Sequence, residues 1–440
     1  MCPTPENPPH SRHFTGLPPP IVYIAPMPRA AATFQHTFAP IAILAAIAGI
    51  APSALAQSFT LLGWPAPNEV SRANDVSADG RVVAGYSDGI GGSRGFLWTA
   101  ETGRNDFGLP LPIGTQGFGI SGDGNTAVGA AGTTWRAYKW NATSGYQELG
   151  SLPGYNASVA VDASFDGSVI VGSGVTPNND TQAFRWTQAG GMQGLGPGTN
   201  AKAISSNGNV IVGTLANGPF RWTAGSGLQL LPTLDGSGSG GAFGVSHDGS
   251  IVIGRSGVRG AMWINGVPTD LTAGSTTMNF TPFSVSNDGS VVAGNVQATG
   301  DLPRAGIWTS ATGMMKLSDY LIANGVALPP GIVFGDCRAV SADGRTFVGW
   351  TSPAGTTGGQ AFVATIPAPC PADLDNDGLL TNGGTRDRAV TIDDLLFLLA
   401  AFESGNLAAD LDNGSGTGTR DNAVTIEDLL YFLGHFEEGC

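Results

Sequence analysis

Basic residues are scarce in this chain: 20 Lys and Arg stand against 34 Asp and Glu, which gives a net charge of −14 at pH 7. Proteins that bind the phosphate backbone of nucleic acids use clusters of Lys and Arg. The sequence has no such cluster, so we expect no nucleic acid partner.

Groups suited to catalysis are also few. The chain has five His residues, and only His247 and His435 lie beyond the N-terminal segment described next. There is no G-x-S-x-G elbow, no H-E-x-x-H zinc motif and no P-loop. The motifs therefore predict no catalytic and no cofactor-binding residue, and they favour a protein that is not an enzyme.

Long hydrophobic runs are lacking as well. The apolar run Ile41–Ile50 has half of the roughly 20 residues that a membrane-spanning helix needs. Arg29 precedes it and Ala54-Leu55-Ala56 follows it, which is typical of a cleaved signal peptide. We predict that residues 1–56 are an N-terminal extension and signal, with Met1 or Met27 as the start and a membrane anchor as the alternative. No membrane span is expected after cleavage.

Cysteine is rare, and its positions agree with export. Cys2 would leave with the signal, so Cys337, Cys370 and Cys440 remain. Cys370 and Cys440 flank the C-terminal segment, which predicts a disulfide formed in an oxidising compartment. Cys337 would then be unpaired, as a small buried residue on an inner strand.

Glycine, in contrast, is abundant, with 67 residues, and 14 of them occupy fixed positions in a repeat. Each copy has Ser, any residue, Asp-Gly or Asn-Gly, and a second Gly five residues after the first. Because Asp-Gly and Asn-Gly between apolar runs are strong hairpin signals, we predict a type I′ turn in each copy. The seven copies begin at Ser77, Ser121, Ser164, Ser205, Ser246, Ser286 and Ser341.

The residues between the turns predict four short strands in each copy. A third apolar run ends in an aromatic residue, as in Phe96-Leu97-Trp98, and a fourth short run leads into the next copy. A period of about 44 residues with four strands is the size of one propeller blade. We predict an all-β fold, a seven-bladed β-propeller over residues 57–367, whose last blade is completed by the strand Phe59–Gly63.

The frame V-S-x-D-G-x-x-V-x-G followed by F-x-W resembles the bacterial extracellular HAF-repeat family. The resemblance covers the repeat region and implies a secreted β-repeat protein of a bacterium. It implies no shared chemistry.

The repeated Asp residues precede Gly, so we interpret them as turn residues rather than catalytic acids. One Trp per blade at a fixed strand position is typical of packing between blades. Trp64, Trp350 and Tyr320 lie outside that frame and are candidates for exposed stacking. Asp162 and Asp336 are the stray acids that we find near inner strands.

After the Pro-rich linker 368–371, residues 372–440 repeat one acidic pattern. Each copy has D-L-D, an insert, and then T-R-D-x-A-V-T-I-[DE]-D-L-L. Alternating Asp residues in a Gly- and Asn-rich loop that enters a helix through a final Asp indicate a calcium loop. An apolar stripe follows each loop and predicts two helices that pack together. The alternative is an acidic tail with carboxylates that cap helices.

This duplication resembles the dockerin family of calcium modules. By position, the resemblance implies two Ca²⁺ sites, with Asp377 competing with Asp387 for the third place of the first. The first site has Asp373, Asp375, Asp387, the Ala389 carbonyl, Thr391 and Asp394. The second has Asp410, Asp412, Asp421, the Ala423 carbonyl, Thr425 and Asp428.

Dockerins bind cohesin-like partners, but Ile392-Asp393 and Ile426-Glu427 replace the Ser-Thr pair often found there. Attachment to the cell surface fits the pattern equally well. We expect a secreted, non-catalytic binding or scaffold protein at the cell surface, outside the cell or in the periplasm. Its propeller loops would bind an extracellular glycan or protein. The alternatives are a polysaccharide-degrading hydrolase or lyase and a structural cell-envelope protein.

Overall fold

The computed structural model describes residues 58–63, 70–89, 92–107, 114–275, 277–351, 359–367, 392–404, 407–412, 418 and 423–438. The chain divides into two units, Met1–Ala51 and Pro52–Cys440, and all described residues belong to the second.

Residues 58–365 form seven sheets of four antiparallel strands, so the prediction of a seven-bladed β-propeller is confirmed. In each blade the first strand lies next to the central channel. Blade 1 has β2 (Val70–Val76), β3 (Val83–Gly89), β4 (Gly92–Thr99) and β5 (Gly103–Asp106). Blade 2 has β6 (Thr115–Ile120), β7 (Thr126–Ala131), β8 (Arg136–Asn141) and β9 (Gly145–Gly150). Blade 3 has β10 (Ala157–Ala163), β11 (Val169–Val175), β12 (Thr181–Thr187) and β13 (Gly191–Pro197).

The other blades follow in chain order. Blade 4 has β14 (Asn200–Ile204), β15 (Ile211–Leu215), β16 (Gly218–Thr223) and β17 (Gly227–Leu230). Blade 5 has β18 (Gly240–Val245), β19 (Ile251–Ser256), β20 (Arg259–Ile264) and β21 (Val267–Asp270). Blade 6 has β22 (Met278–Val285), β23 (Val291–Ala298), β24 (Arg304–Thr309) and β25 (Gly313–Lys316). Blade 7 has β26 (Phe334–Val340), β27 (Thr346–Thr351) and β28 (Gln360–Thr365), with β1 (Ser58–Leu61) as its outer strand.

The ring is closed by β1, as the sequence predicts. This strand pairs antiparallel with β28, so that Phe59 lies opposite Ala364. The Phe59 ring stacks on Phe362 at 6.0 Å and meets Phe334 edge-on at 5.6 Å. Pairing the first strand with the last blade removes a free edge that could otherwise pair with another chain.

The hairpin turn of each repeat is held by its own side chains. In blade 1, Ser77 Oγ donates to Asp79 Oδ1 at 2.6 Å and accepts the Val82 N–H at 2.9 Å. Only Gly80 of this turn has a positive φ, 75°, and its N–H bonds to the Ser77 carbonyl at 2.9 Å. A type I′ turn needs positive φ at both central residues, so the prediction of that turn type is wrong. The Asp side chain is used as predicted, to accept a local backbone N–H.

The second Gly of the repeat lets the two innermost strands of a blade approach each other. A Cβ on Gly213 would lie 2.1 Å from the Asn200 carbonyl oxygen and 2.9 Å from the Phe220 ring. All seven copies share this contact, with distances of 1.9–2.2 Å to the facing carbonyl. The repeat therefore needs Gly here because no side chain fits.

Hydrophobic clusters join neighbouring blades. Leu149 and Leu152 of blade 2 pack with Ile170, Phe184 and Trp186 of blade 3. The Trp of the third strand lies in or against such a cluster in each of blades 1–6. These contacts agree with the interpretation of the Trp set as packing between blades.

Helices are confined to two places in the described residues. Helix α1 (Leu317–Ala323) connects blades 6 and 7 and buries Leu317 and Leu321. Its N-cap is Lys316, whose side chain makes no capping hydrogen bond. The C-terminal segment has α2 (Ile392–Ser404), a 3₁₀ turn (Leu407–Ala409) and α3 (Ile426–Glu438), packed around Leu398 and Phe432. None of the described helices is long and apolar enough to cross a membrane.

Substituting Gly213 tests the close approach of the inner strands. We expect Gly213→Ala to lower the free energy of unfolding by roughly 2–4 kcal/mol, because the new Cβ meets backbone that cannot move alone. Gly225→Ala is the matched control, since a Cβ there meets nothing within 4 Å, and we expect a change within about 0.5 kcal/mol. Urea denaturation measures both. Equal stability of the two variants would contradict this role of the repeat.

Candidate functional site

The first strands of all seven blades surround a channel with a cavity of about 520 Å³. Small-molecule sites typically have volumes of roughly 300–1,000 Å³. The channel is thus large enough for a small molecule or a short segment of a polymer.

Each of the seven channel strands has a β-bulge at the same position, three residues before the repeated Ser. A bulge leaves one residue outside the regular pairing and redirects its side chain. All seven bulged residues line the channel: Asn74, Phe118, Val161, Lys202, Phe243, Phe283 and Arg338. The repeat therefore places one variable side chain per blade in a ring around the lumen.

Four consecutive blades contribute a distinctive part of this ring, which we call the cationic arc: Lys202, Phe243, Phe283 and Arg338. The rings of Phe243 and Phe283 are 6.4 Å apart and tilted by 53°. The Arg338 guanidinium carbon lies 4.9 Å from the centre of the Phe283 ring. Lys202 is exposed in the channel, and desolvation by the surrounding wall lowers the pKa of its ammonium group. The arc has a cation at each end and two aromatic faces between them.

Arg338 is also held by a buried acid on its own strand. Its Nε lies 2.6 Å from Asp336 Oδ2, and Asp336 is only 4% exposed. Burial raises the pKa of Asp336, and the charge of Arg338 partly opposes that rise. Asp336, predicted as a stray acid near an inner strand, thus positions a channel cation.

The candidate stacking residues have other partners in the structure. Trp350 lies half-buried under Arg72, whose guanidinium carbon is 5.5 Å from its ring. Tyr320 meets Phe347 edge-on at 5.8 Å. Trp64 lies outside the described residues.

Asp75 and Asp162 occupy the next position of the channel strands, in blades 1 and 3. Asp75 accepts the N–H of Val76 at 2.9 Å through Oδ1, and that of Ile120 in blade 2 at 2.9 Å through Oδ2. Asp162 bonds in the same way to Ala163 and to Ile204 of blade 4, at 2.7 and 2.8 Å. Each carboxyl group therefore ties its blade to the next.

Sequence reasoning found Asp162 but missed Asp75. Asp75 could have been found from its position in the repeat, because it stands two residues before the repeated Ser, as Asp162 does. Burial in the channel wall raises the pKa of Asp75 to about 7, although its backbone hydrogen bonds act against the shift. Burial and the nearby Asp75 raise the pKa of Asp162 well above its usual value.

The turns of neighbouring blades bond to one another at one end of the channel. The N–H of Ala78 donates to the Gly122 carbonyl at 2.9 Å, and the N–H of Phe165 to the Ser206 carbonyl at 2.8 Å. The rings of Phe165 and His247 meet edge-on there at 5.7 Å. Each residue of the cationic arc precedes the repeated Ser of its turn by three residues, so the arc lies away from this end of the channel strands.

In the C-terminal segment, Asp428 closes the second acidic loop. The Asp428 carboxylate is fully buried and accepts the N–H groups of Leu411 and Asp412, the latter at 2.8 Å. It also accepts the Thr425 N–H at 2.7 Å, which supplies the carboxylate half of a capping box at the start of α3. Burial opposes ionisation, but these N–H groups outweigh it and hold the pKa of Asp428 below its usual value.

Two further acids of this loop are buried. Asp410 and Asp412 are each 2% exposed, and Asp412 Oδ1 accepts the Gly418 N–H at 2.8 Å. Burying carboxylates is costly unless they are paired, hydrogen-bonded or bound to a metal. Carboxylate and carbonyl oxygens in one loop also fit the preferences of calcium. Within the described residues alone, no three His, Cys, Asp or Glu side chains are grouped to hold a metal.

Of the other predicted residues, Asp394 belongs to α2, and its side chain lies outside the described part of the structure. Cys337 is fully buried on β26, as expected, and burial raises the pKa of its thiol. The predicted positions outside the described residues are Asp373, Asp375, Asp377, Asp387, Ala389, Thr391, Asp421, Cys370 and Cys440.

The chain matches no family model and no curated protein. Among solved structures, it is similar to oligogalacturonate lyase from Vibrio parahaemolyticus, with a TM-score of 0.50 and 12% identity over 70% of this chain and 93% of that one. It is also similar to TolB from Acinetobacter baumannii, with a TM-score of 0.39 and 15% identity over 54% of this chain and 63% of that one. The lyase similarity supports the propeller fold alone.

The raised pKa of Asp75 predicts that the free energy of unfolding depends on pH. Its pKa rises from 3.8 in the unfolded chain to about 7 in the fold, so its stabilising effect is complete below 3.8 and is lost as the pH rises to 7. Asp162 acts in the same direction. For Asp75 we expect the free energy of unfolding to fall between pH 5 and 7 by up to about 1.4 kcal/mol per pH unit.

Urea denaturation of Asp75→Asn at pH 5, 6 and 7 should give a flatter dependence than the unchanged protein. Asp123→Asn is the control, because the pKa of Asp123 lies below its usual value and Asn207 occupies the same place in blade 4. A slope that Asp75→Asn leaves unchanged would contradict the assignment.

Proposed function

We propose that this is an exported, non-catalytic binding protein whose propeller takes an extracellular glycan or protein segment in its channel. The observation that carries the proposal is the ring of seven bulged residues. The repeat keeps its turn and glycine residues constant, yet the bulged position varies among amide, aliphatic, aromatic and basic side chains. Variation at a lumen-facing position within a constant backbone frame is expected where side chains serve a ligand rather than the fold.

The channel acids favour binding over catalysis. A general acid or base must reach a proton of the substrate. Each oxygen of Asp75 and Asp162 already accepts a backbone N–H, and two of those bonds join neighbouring blades. Their raised pKa values follow from burial in the channel wall.

A polysaccharide-degrading enzyme is the second candidate. The observation in its favour is the same pair of acids, since a carboxyl group with a pKa of about 7 is suited to proton transfer. The similarity to oligogalacturonate lyase, at 12% identity, adds only a shared fold. A structural envelope protein is the third candidate. That function would not explain the ring of bulged side chains in the channel.

We also propose that the C-terminal segment attaches the protein, through two calcium loops, to a cohesin-like partner or to the cell surface. Asp410, Asp412 and Asp428, with Thr425 and the Ala423 carbonyl, would supply oxygen ligands in the second loop. The resemblance to dockerins and the burial of these three acids support this. Export rests on the signal pattern and the HAF-repeat resemblance.

Calcium titration of the whole protein tests the loops. By calorimetry, we expect two sites in the unchanged protein and one in Asp428→Asn, because a carboxylate is lost from the second loop. Glu427→Gln is the matched control, since Glu427 is an exposed neighbour, and it should keep both sites. Unchanged stoichiometry in Asp428→Asn, or no calcium binding at all, would show that Asp428 only caps the helix.

Ligand binding is tested with residues 57–440 and a panel of extracellular polysaccharides and proteins in calcium. We expect retention without new reducing or unsaturated ends. Val161→Trp should abolish retention, because it fills the lumen from a bulged position. Val267→Trp, on the outer strand β21 where the side chain is 67% exposed, should leave retention unchanged.

Two results would contradict the proposal. Product formation that Asp75→Asn and Asp162→Asn abolish would identify an enzyme. Retention that survives Val161→Trp would place binding outside the channel.

A further inference from the structure

The cationic arc indicates which ligand the channel takes. Lys202 and Arg338 lie at its two ends, in blades 4 and 7, and the Phe243 and Phe283 rings lie between them. Because all four side chains leave the same bulge position, they form one continuous strip of the channel wall.

Lys202 and Arg338 have charged donor groups that are available to bind a ligand. Among the described residues, no carboxylate lies within salt-bridge distance of Lys202. Arg338 uses Nε for Asp336, and the described residues offer no hydrogen bond to its two amino groups. In a chain with a net charge of −14, two such cations in one cavity are a local exception. They are suited to negatively charged groups of a ligand.

The rings between the cations favour a ligand with a flat apolar face. The C–H face of a pyranose ring packs on an aromatic ring, while its hydroxyl groups point outward to polar partners. Asn74 of blade 1, a lining residue of the same channel, donates Nδ2 to the Gly117 carbonyl at 2.7 Å. That bond uses the amide nitrogen, so the amide oxygen is available to accept from hydroxyl groups.

The acids of the opposite wall are less easily ionised than ordinary carboxyl groups. Burial raises the pKa of Asp75 to about 7, and the pKa of Asp162 is also raised. Below pH 7 an anionic ligand would therefore meet positive charge on one wall and less negative charge on the other than two ordinary carboxylates would give.

We propose that the channel binds an acidic oligosaccharide, with uronate carboxylates at Lys202 and Arg338 and sugar rings on Phe243 and Phe283. This proposal rests on the proposed binding function of the channel and specifies its ligand class. A short acidic peptide has the charge but lacks the stacked C–H faces and hydroxyl groups.

Calorimetry of the whole protein with matched probes tests this. α-1,4-Linked galactotriose has hydroxymethyl groups where trigalacturonate has carboxylates, so we expect trigalacturonate to bind at least about tenfold more tightly. Lys202→Gln should weaken trigalacturonate binding about tenfold, because one charged contact is lost. Lys139→Gln is the control, since Lys139 lies over Trp186 outside the channel lining, and it should bind normally.

The aromatic part is tested separately. Phe243→Leu should weaken trigalacturonate binding, whereas Phe243→Tyr, which keeps the ring, should retain it. Equal binding of both trisaccharides, no binding of trigalacturonate, or no effect of Lys202→Gln would overturn the acidic-sugar proposal. Tighter binding of tetraglutamate than of trigalacturonate would also overturn it.

These outcomes can be distinguished from a failure of the proposed binding function of the channel. If another ligand is retained and Val161→Trp blocks it, the channel function stands and only the ligand class is wrong. If Val161→Trp affects no ligand, the channel function itself is wrong.

Discussion

In every blade, the two innermost strands approach so closely that a carbonyl oxygen occupies the space where a Cβ would be. At Gly213 that distance is 2.1 Å, to the carbonyl of Asn200, and the other six repeats have the same close approach. It lies beside the β-bulge, which directs one side chain of each channel strand into the lumen. The glycine is therefore needed for the blade to fold. The bulge beside it places the ring of side chains that we assign to ligand binding. Losing the close approach would disturb both the blade and the channel wall.

Much of the architecture could be predicted from the sequence because it repeats seven times. The Ser, Asp and Gly positions give the hairpin of each blade, and the apolar run at Phe59 gives the closing strand. The turn type could not be predicted from Asp-Gly alone, because Ser77 Oγ bonds to Asp79 and to Val82 N–H and holds a different geometry. The bulge was also missed, since its residue has no fixed identity in the repeat.

The site was harder to predict for the same reason. Lys202 and Arg338 are more than a hundred residues apart in the sequence. They line the same lumen only because the blades close into a ring. Asp75 stands at the start of a repeat in the sequence. In the closed ring its carboxylate accepts the Ile120 N–H and so links blade 1 to blade 2. Repetition identifies what the blades share, whereas function resides in the positions that differ. The acidic loops are the opposite case, because the spacing of their Asp residues is local in sequence, and the Asp428 carboxylate accepts the Asp412 N–H of the same loop.

The most direct test of the account is a crystal structure of the protein soaked with trigalacturonate. The account predicts density for the sugar inside the channel, with a carboxylate at Lys202 and a ring against Phe243 or Phe283. Ordered sugar at any other surface, with the cationic arc left to solvent, would contradict it.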